Sequence, residues 1–262
     1  MAQASQFTKP IRIKPMKSQS NSQINDQVTP AETAEILRLA AQALADNPEE
    51  GDFVELGCYR GDTSVLLGKL LQKSPSQPLD RPVENPVENS QMPPSRTSQA
   101  SPKHLWIYDS FAGLPEKTRE DASGAGANFK AGELLVTKRE VIEKLRKHGL
   151  KTASRLPEPT NPQTGTLQPS VIVKKAWFDD LGPDDLPEKI AFAFCDGDLY
   201  SSIKTSLNLV KTRLTEKGII IAHDYNNPEL PGSARAVDEF LRGNPDFRLK
   251  VHYTLAILTK KC

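Results

Sequence analysis

Cysteine is nearly absent from this chain: Cys58, Cys195 and Cys262 are three in 262 residues, widely separated and without a CxxC pair. A disulfide scaffold or a structural zinc cluster is therefore not expected, and a reducing, cytoplasmic setting is. There is no run of about 18 apolar residues, so no membrane-spanning helix and no membrane partner is expected. An excess of either charge is lacking too, because 34 Lys and Arg stand against 33 Asp and Glu for a formal net charge of +1. Dedicated nucleic-acid binders usually carry a marked basic excess, which argues against that class of partner. Apolar residues are also sparse, at 37% with a mean hydropathy of -0.50, which is low for a purely globular domain.

Proline accounts for the low hydropathy. Of 21 prolines, 14 fall in three stretches: Pro10, Pro15 and Pro30; Pro75 through Pro102; and Pro157, Pro159, Pro162 and Pro169. The middle stretch repeats itself, Pro82-Val83-Glu84-Asn85 preceding Pro86-Val87-Glu88-Asn89. Such segments bury too little apolar surface to offset the entropy of ordering them, so they read as mobile insertions at about 73–103 and 157–170. Residues 1–28 read as a disordered basic arm, with Lys9, Arg12, Lys14 and Lys17 and no acid before Asp26. An organelle transit peptide can share that composition, but no clear amphipathic stripe is present. Residues 29–262 are expected to form a single domain around the insertions.

The remainder alternates between two periodicities. Thr29-Pro30-Ala31-Glu32 is a capping box with proline at the first helical position, opening a helix through Ile36, Leu37, Ala40 and Leu44. Short apolar runs follow at 53–56, 105–108, 171–173, 190–195 and 218–222. Between the last two, Ile203, Leu207, Val210 and Leu214 recur at helical spacing. Apolar strands without alternation, separated by helices, predict a parallel sheet covered on both faces. Phe247, Leu249, Val251 and Tyr253 instead alternate with Arg248, Lys250 and His252, and Leu255 to Leu258 follow at once. These predict an antiparallel C-terminal hairpin at the sheet edge.

The strand ends are acidic: Glu55, Asp109, Asp196 and the pair His223-Asp224. In an open parallel sheet, ligands bind outside the carboxyl ends of the strands. A strand-end Asp also serves as a helix cap, yet four strands ending this way point to a site. After the first strand comes Glu55-Leu56-Gly57-Cys58-Tyr59-Arg60-Gly61, whose glycines let backbone approach a ligand. It lacks the GxGxxG dinucleotide fingerprint, since Tyr59 occupies the second glycine's place. A ligand with a ribose but no phosphate, such as S-adenosylmethionine, fits this loop better than NAD, FAD or a P-loop nucleotide. Asp109 is placed to accept the ribose hydroxyls, and Trp177 and Phe178 to flank an adenine, unless those aromatics simply pack against a helix. Asp196 and Asp224 end strands expected to be neighbours, where carboxylates share a divalent cation or else cap helices.

In order along the chain, Val54-Glu55-Leu56-Gly57-Cys58-Tyr59-Arg60-Gly61, Tyr108-Asp109-Ser110-Phe111-Ala112-Gly113-Leu114-Pro115, Asp196-Gly197-Asp198-Leu199-Tyr200, His223-Asp224-Tyr225 and Arg235-Ala236-Val237-Asp238-Glu239-Phe240 resemble the macrocin O-methyltransferase (TylF-type) family. The resemblance spans roughly residues 30–242, broken by the proline-rich insertions. It implies an α/β fold, the Rossmann-like class I methyltransferase sheet, mostly parallel with an antiparallel C-terminal edge hairpin. It further implies an enzyme that methylates a hydroxyl of a sugar or other small-molecule natural product, using S-adenosylmethionine and magnesium, and a homodimer. The cofactor residues implied are Glu55, Gly57, Arg60, Gly61, Ser64, Asp109, Ser110, Phe178 and Asp196. Asp196 and His223 are the implied catalytic residues, and Asp196, His223 and Asp224 the metal set. One departure stands out: the family often has two Asp before the Tyr, and here the first is His223. Magnesium prefers oxygen ligands, so this position bears on which metal is used. The segment 113–133, rich in Gly and charge, is expected to form part of a substrate lid.

Two other readings stay open from the residues alone. One is a metal-independent methyltransferase acting on nitrogen, carbon or a phenol. The other is a non-catalytic S-adenosylmethionine-binding regulatory module, for which two retained carboxylates at adjacent strand ends would be superfluous.

Overall fold

The computed structural model describes residues 28–73, 102–122, 129–155 and 169–261. Most of the expected basic arm and both proline-rich insertions, along with Cys262, lie outside these residues. The elements in chain order are α1 (Pro30–Asp46), β1 (Asp52–Leu56), α2 (Asp62–Lys73), β2 (Leu105–Asp109), α3 (Lys138–Lys147), β3 (Thr152–Ala153), β4 (Val171–Lys175), β5 (Ile190–Cys195), α4 (Tyr200–Lys211), β6 (Leu214–Ala222), α5 (Pro231–Gly243), β7 (Phe247–His252) and β8 (Leu255–Lys260). Eight strands form one sheet in the order β3-β4-β2-β1-β5-β6-β8-β7. Strands β1 to β6 pair in parallel, and β8 pairs antiparallel with both β6 and β7. The expected sheet and its C-terminal hairpin are both present.

Two cores explain why the strands read as continuous apolar runs. Phe53, Ile107, Phe192 and Phe194 face Ile36, Val65, Leu67 and Val141 of α1, α2 and α3. Val54, Leu56, Ala193 and Ile220 face Ile203, Leu207, Val237 and Phe240 of α4 and α5. A strand covered on both sides has no polar face to alternate with. Two details differ from the sequence reading. Leu214 belongs to β6, because α4 ends at Lys211 and the chain turns into the strand. On α1 the buried stripe is Ile36, Leu39, Ala40 and Ala43, with Leu37 and Leu44 only partly covered. Among the described residues no helix is long and apolar enough to cross a membrane.

The strand order carries the functional geometry. Beyond β1 the connections run outward through β2 and β4; from β5 they run the other way through β6. The carboxyl ends of β1 and β5 therefore bound the crevice where an open α/β sheet binds ligands.

Candidate active site

Four loops meet at this edge, and each has a non-glycine residue in the left-handed region close behind its strand: Tyr59 (φ 41°) after β1, Phe111 (φ 46°) after β2, Asp198 (φ 60°) after β5 and Asp224 (φ 60°) after β6. Asp tolerates that conformation; Tyr and Phe do so at a cost of about 1–3 kcal/mol each, sustained only where the surroundings fix them. Gly57 (φ 88°) is pressed against β5's exit: a Cβ there would lie 2.0 Å from the Asp196 carbonyl oxygen. The Asp196 N–H in turn donates to the Leu56 carbonyl at 2.8 Å, so the two loops are stitched across the switch point.

Two cavities open here. The larger, about 340 Å³, is lined by Asp109, Ser110, Leu114, Trp177, Phe178 and Asp198, among others. The smaller, about 220 Å³, lies between Val28, Thr33, Glu55, Arg60 and Thr63. Gly57, Tyr59 and Asp196 line both cavities. A wider polar trough of about 730 Å³ lies at the opposite edge, beside Asn47, Lys189 and Leu214, where the strands begin rather than end.

On the β1–β2 side, the Asp109 carboxylate accepts from the Cys58 N–H (2.9 Å) and the Phe111 N–H (2.7 Å), which fixes both loops around it. Ser110 Oγ closes the next turn, accepting from Ala112 N–H and donating to the Gly113 carbonyl. Glu55 is buried and accepts a hydrogen bond from Ser64 Oγ. Burial raises its pKa to about 8, opposed by the Ser64 hydrogen bond and reinforced by the negative fields of Asp196 and Asp109. Ser64 and Gly61 sit behind this wall and border neither cavity, whereas Glu55, Gly57 and Arg60 line the smaller one.

On the β5–β6 side, His223 is only 4% exposed. Its Nδ1 lies 2.8 Å from Asp196 Oδ1 and 3.1 Å from Asp224 Oδ2, and its Nε2 is 3.8 Å from Glu32 Oε2. Burial works against charging the imidazole, but Asp196, Asp224 and Glu32 outweigh it and raise its pKa. Asp196 also shifts upward, chiefly from burial, with His223 opposing and Asp224 and Glu32 adding to the rise. Both shifts favour the protonated form of the group concerned. Asp196 alone of the three faces the cavities; Asp224 is buried and accepts from Asn227 Nδ2 at 2.8 Å.

One ligand atom from each of Asp196, His223 and Asp224 falls within 4.8 Å of the other two. The spacings about Nδ1 suit neighbouring ligands of one ion, and Glu32 near Nε2 occupies the place of the outer carboxylate that commonly orients a ligating histidine. The residues therefore fit a divalent ion that accepts mixed nitrogen and oxygen donors.

Sequence reasoning did not single out Tyr59, Thr33, Ser201 and Ser202 as lining residues. It also gave Glu32 only its capping role. The structure shows that role and a second one, since Glu32 also accepts from the N–H and hydroxyl of Thr254 while facing His223. A contact across 222 residues leaves no local signal.

Comparison with known proteins follows the same lines. The family described as Macrocin-O-methyltransferase (TylF) matches residues 158–246. Over this stretch, about a third of the chain, it is similar to that family. It is similar to demethyldecarbamoylnovobiocin O-methyltransferase of Streptomyces niveus, 23% identical over 79% of this chain and 64% of that one. It is also similar to a tetracenomycin-type rhamnosyl 4'-O-methyltransferase of Streptomyces olivaceus, 27% identical over 67% of this chain and 53% of that one. The chain thus spans less than two thirds of the length of either relative. Among solved structures, the O-methyltransferase NovP aligns with a TM-score of 0.59 at 21% identity, over 88% of this chain and 81% of NovP. The calicheamicin methyltransferase CalS11 aligns at 0.60 and 20%, over 88% and 80% respectively. These likenesses show a fold shared with these two methyltransferases.

Proposed function

We propose that this protein is an S-adenosylmethionine-dependent O-methyltransferase that acts on a hydroxyl of a sugar or other small-molecule natural product, with help from a divalent metal. The observation that carries this reading is the position of Asp196, where the two cavities join at the sheet's switch point. The curated relatives, both named as O-methyltransferases, support the chemistry.

When bound, S-adenosylmethionine supplies a methyl group on a positively charged sulfur, and a divalent ion supplies Lewis acidity toward acceptor oxygens. The protein's own side chains bind, orient and move the proton. Asp109, held by two N–H groups, offers its remaining lone pairs to a ribose, with Ser110 and Phe178 beside it in the larger cavity. Glu55, Gly57 and Arg60 line the smaller cavity, where the amino-acid end of the cofactor would lie. Asp196 faces the junction and would take the proton of the acceptor hydroxyl there, the bound cofactor supplying the methyl group. Its raised pKa makes it a stronger base than an exposed aspartate. His223 and Asp224 would complete the metal set with Asp196, and the imidazole shifts the preferred ion from magnesium toward manganese, iron(II), cobalt or zinc.

The hydrogen-bonding position of His223 favours one second reading. With Nδ1 between two carboxylates, a protonated imidazole would itself be the positive group behind Asp196, and transfer would need no metal. A screen of acceptors with a labelled methyl donor, with and without chelator and alongside metal analysis of the purified protein, separates the two. Chelator-sensitive labelling that manganese restores supports the first; labelling by metal-free protein supports the second. Absence of S-adenosylmethionine binding in calorimetry would sink both. We further place the protein in the cytoplasm, in keeping with the unpaired buried thiols of Cys58 and Cys195, and expect a homodimer, which sedimentation velocity measures.

A further inference from the structure

The α5 motif Arg235 to Phe240 touches no part of either cavity, yet its helix grips all the loops on the acceptor side. Ser233 Oγ donates to the His223 carbonyl, Asp238 accepts from Tyr225 OH at 2.8 Å, and Glu239 accepts from Tyr200 OH and from Lys204 Nζ. Arg235 donates to the Glu120 carbonyl. The residue next to Glu120 is the unusual one. Asp121 lies in a loop but is only 2% exposed. One of its oxygens accepts from Thr118 N–H (2.8 Å) and Thr118 Oγ1 (2.9 Å), and the other accepts from Tyr200 N–H (2.7 Å).

That last bond caps α4 from 79 residues away. The helix's own N-cap, Leu199, has no side chain able to do so. A carboxylate there also meets the positive end of the helix. Room for it comes from Gly232 in the first turn of α5, where a Cβ would fall 1.9 Å from Asp121 Oδ1 and 2.8 Å from Tyr200 N. The same segment begins with Leu114, Pro115 and Glu116, which line the larger cavity facing Asp196. Beneath it Leu114, Phe129, Leu199 and Leu230 form a small apolar cluster of their own, separate from the two main cores. The segment 113–122 therefore has a weak apolar seat, backbone bonds from Leu114 to Gly132 and Glu133, and in Asp121 a buried side-chain anchor that bonds to the residue opening the helix after Leu199.

We infer that Asp121 is a positioning residue for methyl transfer, fixing the segment 113–122 as the acceptor-side wall over Asp196, with Gly232 as its socket. This rests on the O-methyltransferase reading above. The loss of a buried charge-assisted cap is large enough to open the segment without opening the sheet.

The test uses full-length protein with S-adenosylhomocysteine bound, comparing wild type with Asp121→Asn and, from the other side of the contact, Gly232→Ala. Hydrogen exchange of backbone amides in 113–122 should speed up by about tenfold in both variants, with β1 and β5 amides unchanged. S-adenosylhomocysteine affinity by calorimetry should stay within about threefold. On a panel of deoxysugar glycosides, acceptor KM should rise by about tenfold with a smaller change in kcat, a split that a merely structural cap would not produce. Unchanged exchange in both variants, an unchanged acceptor KM, or a parallel loss of cofactor analogue binding would each overturn the assignment. If wild-type protein methylates nothing on the panel, that counts against the O-methyltransferase reading, and the exchange result still decides whether Asp121 anchors the wall.

Discussion

The two acid-bearing halves of the site solve the same electrostatic problem differently. At the ends of β1 and β2, Asp109 is held by backbone N–H groups and Glu55 by a serine hydroxyl. Burial drives Glu55 toward its neutral form. At the ends of β5 and β6, Asp196 and Asp224 gather around a buried imidazole that Glu32 backs from behind. In the first half the carboxylates are met by neutral donors, with Arg60 elsewhere in the lining of the smaller cavity, so a positive charge such as a sulfonium beside Asp109 would lower its energy. The second half already contains a group able to carry positive charge or to bind an ion that does. On the proposed reading, binding and proton transfer would be separated along one crevice, with Asp196, which lines both cavities, at the boundary.

The comparison breaks most sharply at Asp196. Asp196→Asn should lower turnover by about 10²–10⁴, the scale of a lost acid–base group, while S-adenosylmethionine affinity stays within a few-fold. A labelled-methyl assay beside calorimetry checks both, and full activity in this variant would reduce the β5–β6 cluster to a structural role.

Glu55 comes next. Its folded pKa is raised, to about 8 from an ordinary 4.5, so the folded protein holds a proton that the unfolded chain releases in between. Stability should therefore be highest below about pH 4.5 as far as this group is concerned, and its contribution should fall as pH rises toward 8, by on the order of a few kcal/mol. Glu55→Gln keeps an acceptor for Ser64 and should flatten that slope in chemical denaturation across pH 5 to 8. An equally steep slope in the variant would place the titration elsewhere.

Asp109→Ala should weaken cofactor binding by about 1–3 kcal/mol, with Asp196-dependent proton chemistry left in place. Cofactor affinity equal to wild type would remove Asp109 from the ribose. The smallest effect is expected at Thr29, whose hydroxyl and N–H hold Glu32 behind His223. Thr29→Ala should cost about 1 kcal/mol of stability, the worth of a helix cap. It should also lower the pKa of His223, visible by NMR, without moving cofactor affinity.

Much of the fold was legible because parallel strands buried on both faces leave an unmistakable pattern of short apolar runs. The acidic strand ends gave the site's location, since only the carboxyl edge of such a sheet binds ligands. What stayed hidden was set by long-range contact. Helix α3, with only Val141 and Leu145 fully buried, shows a thin stripe amid charge. Leu214 continues a helical spacing by coincidence, and only the pairing of β6 with β5 reveals it as strand. Glu32 and Asp121 each make a plausible local cap, so nothing in their neighbourhood announces a second partner across the fold.

Gly57 has one further consequence. With a Cβ at this position falling on the Asp196 carbonyl, and the Asp196 N–H bonded to the Leu56 carbonyl, the loops after β1 and β5 share a single tight joint. Any side chain there would act as a wedge between the two loops, moving Asp196 relative to Asp109 and Glu55. A chain drifting in sequence could thus vary the segment over Asp196 widely, yet this one position would have to remain bare for the proposed donor and base to stay in register.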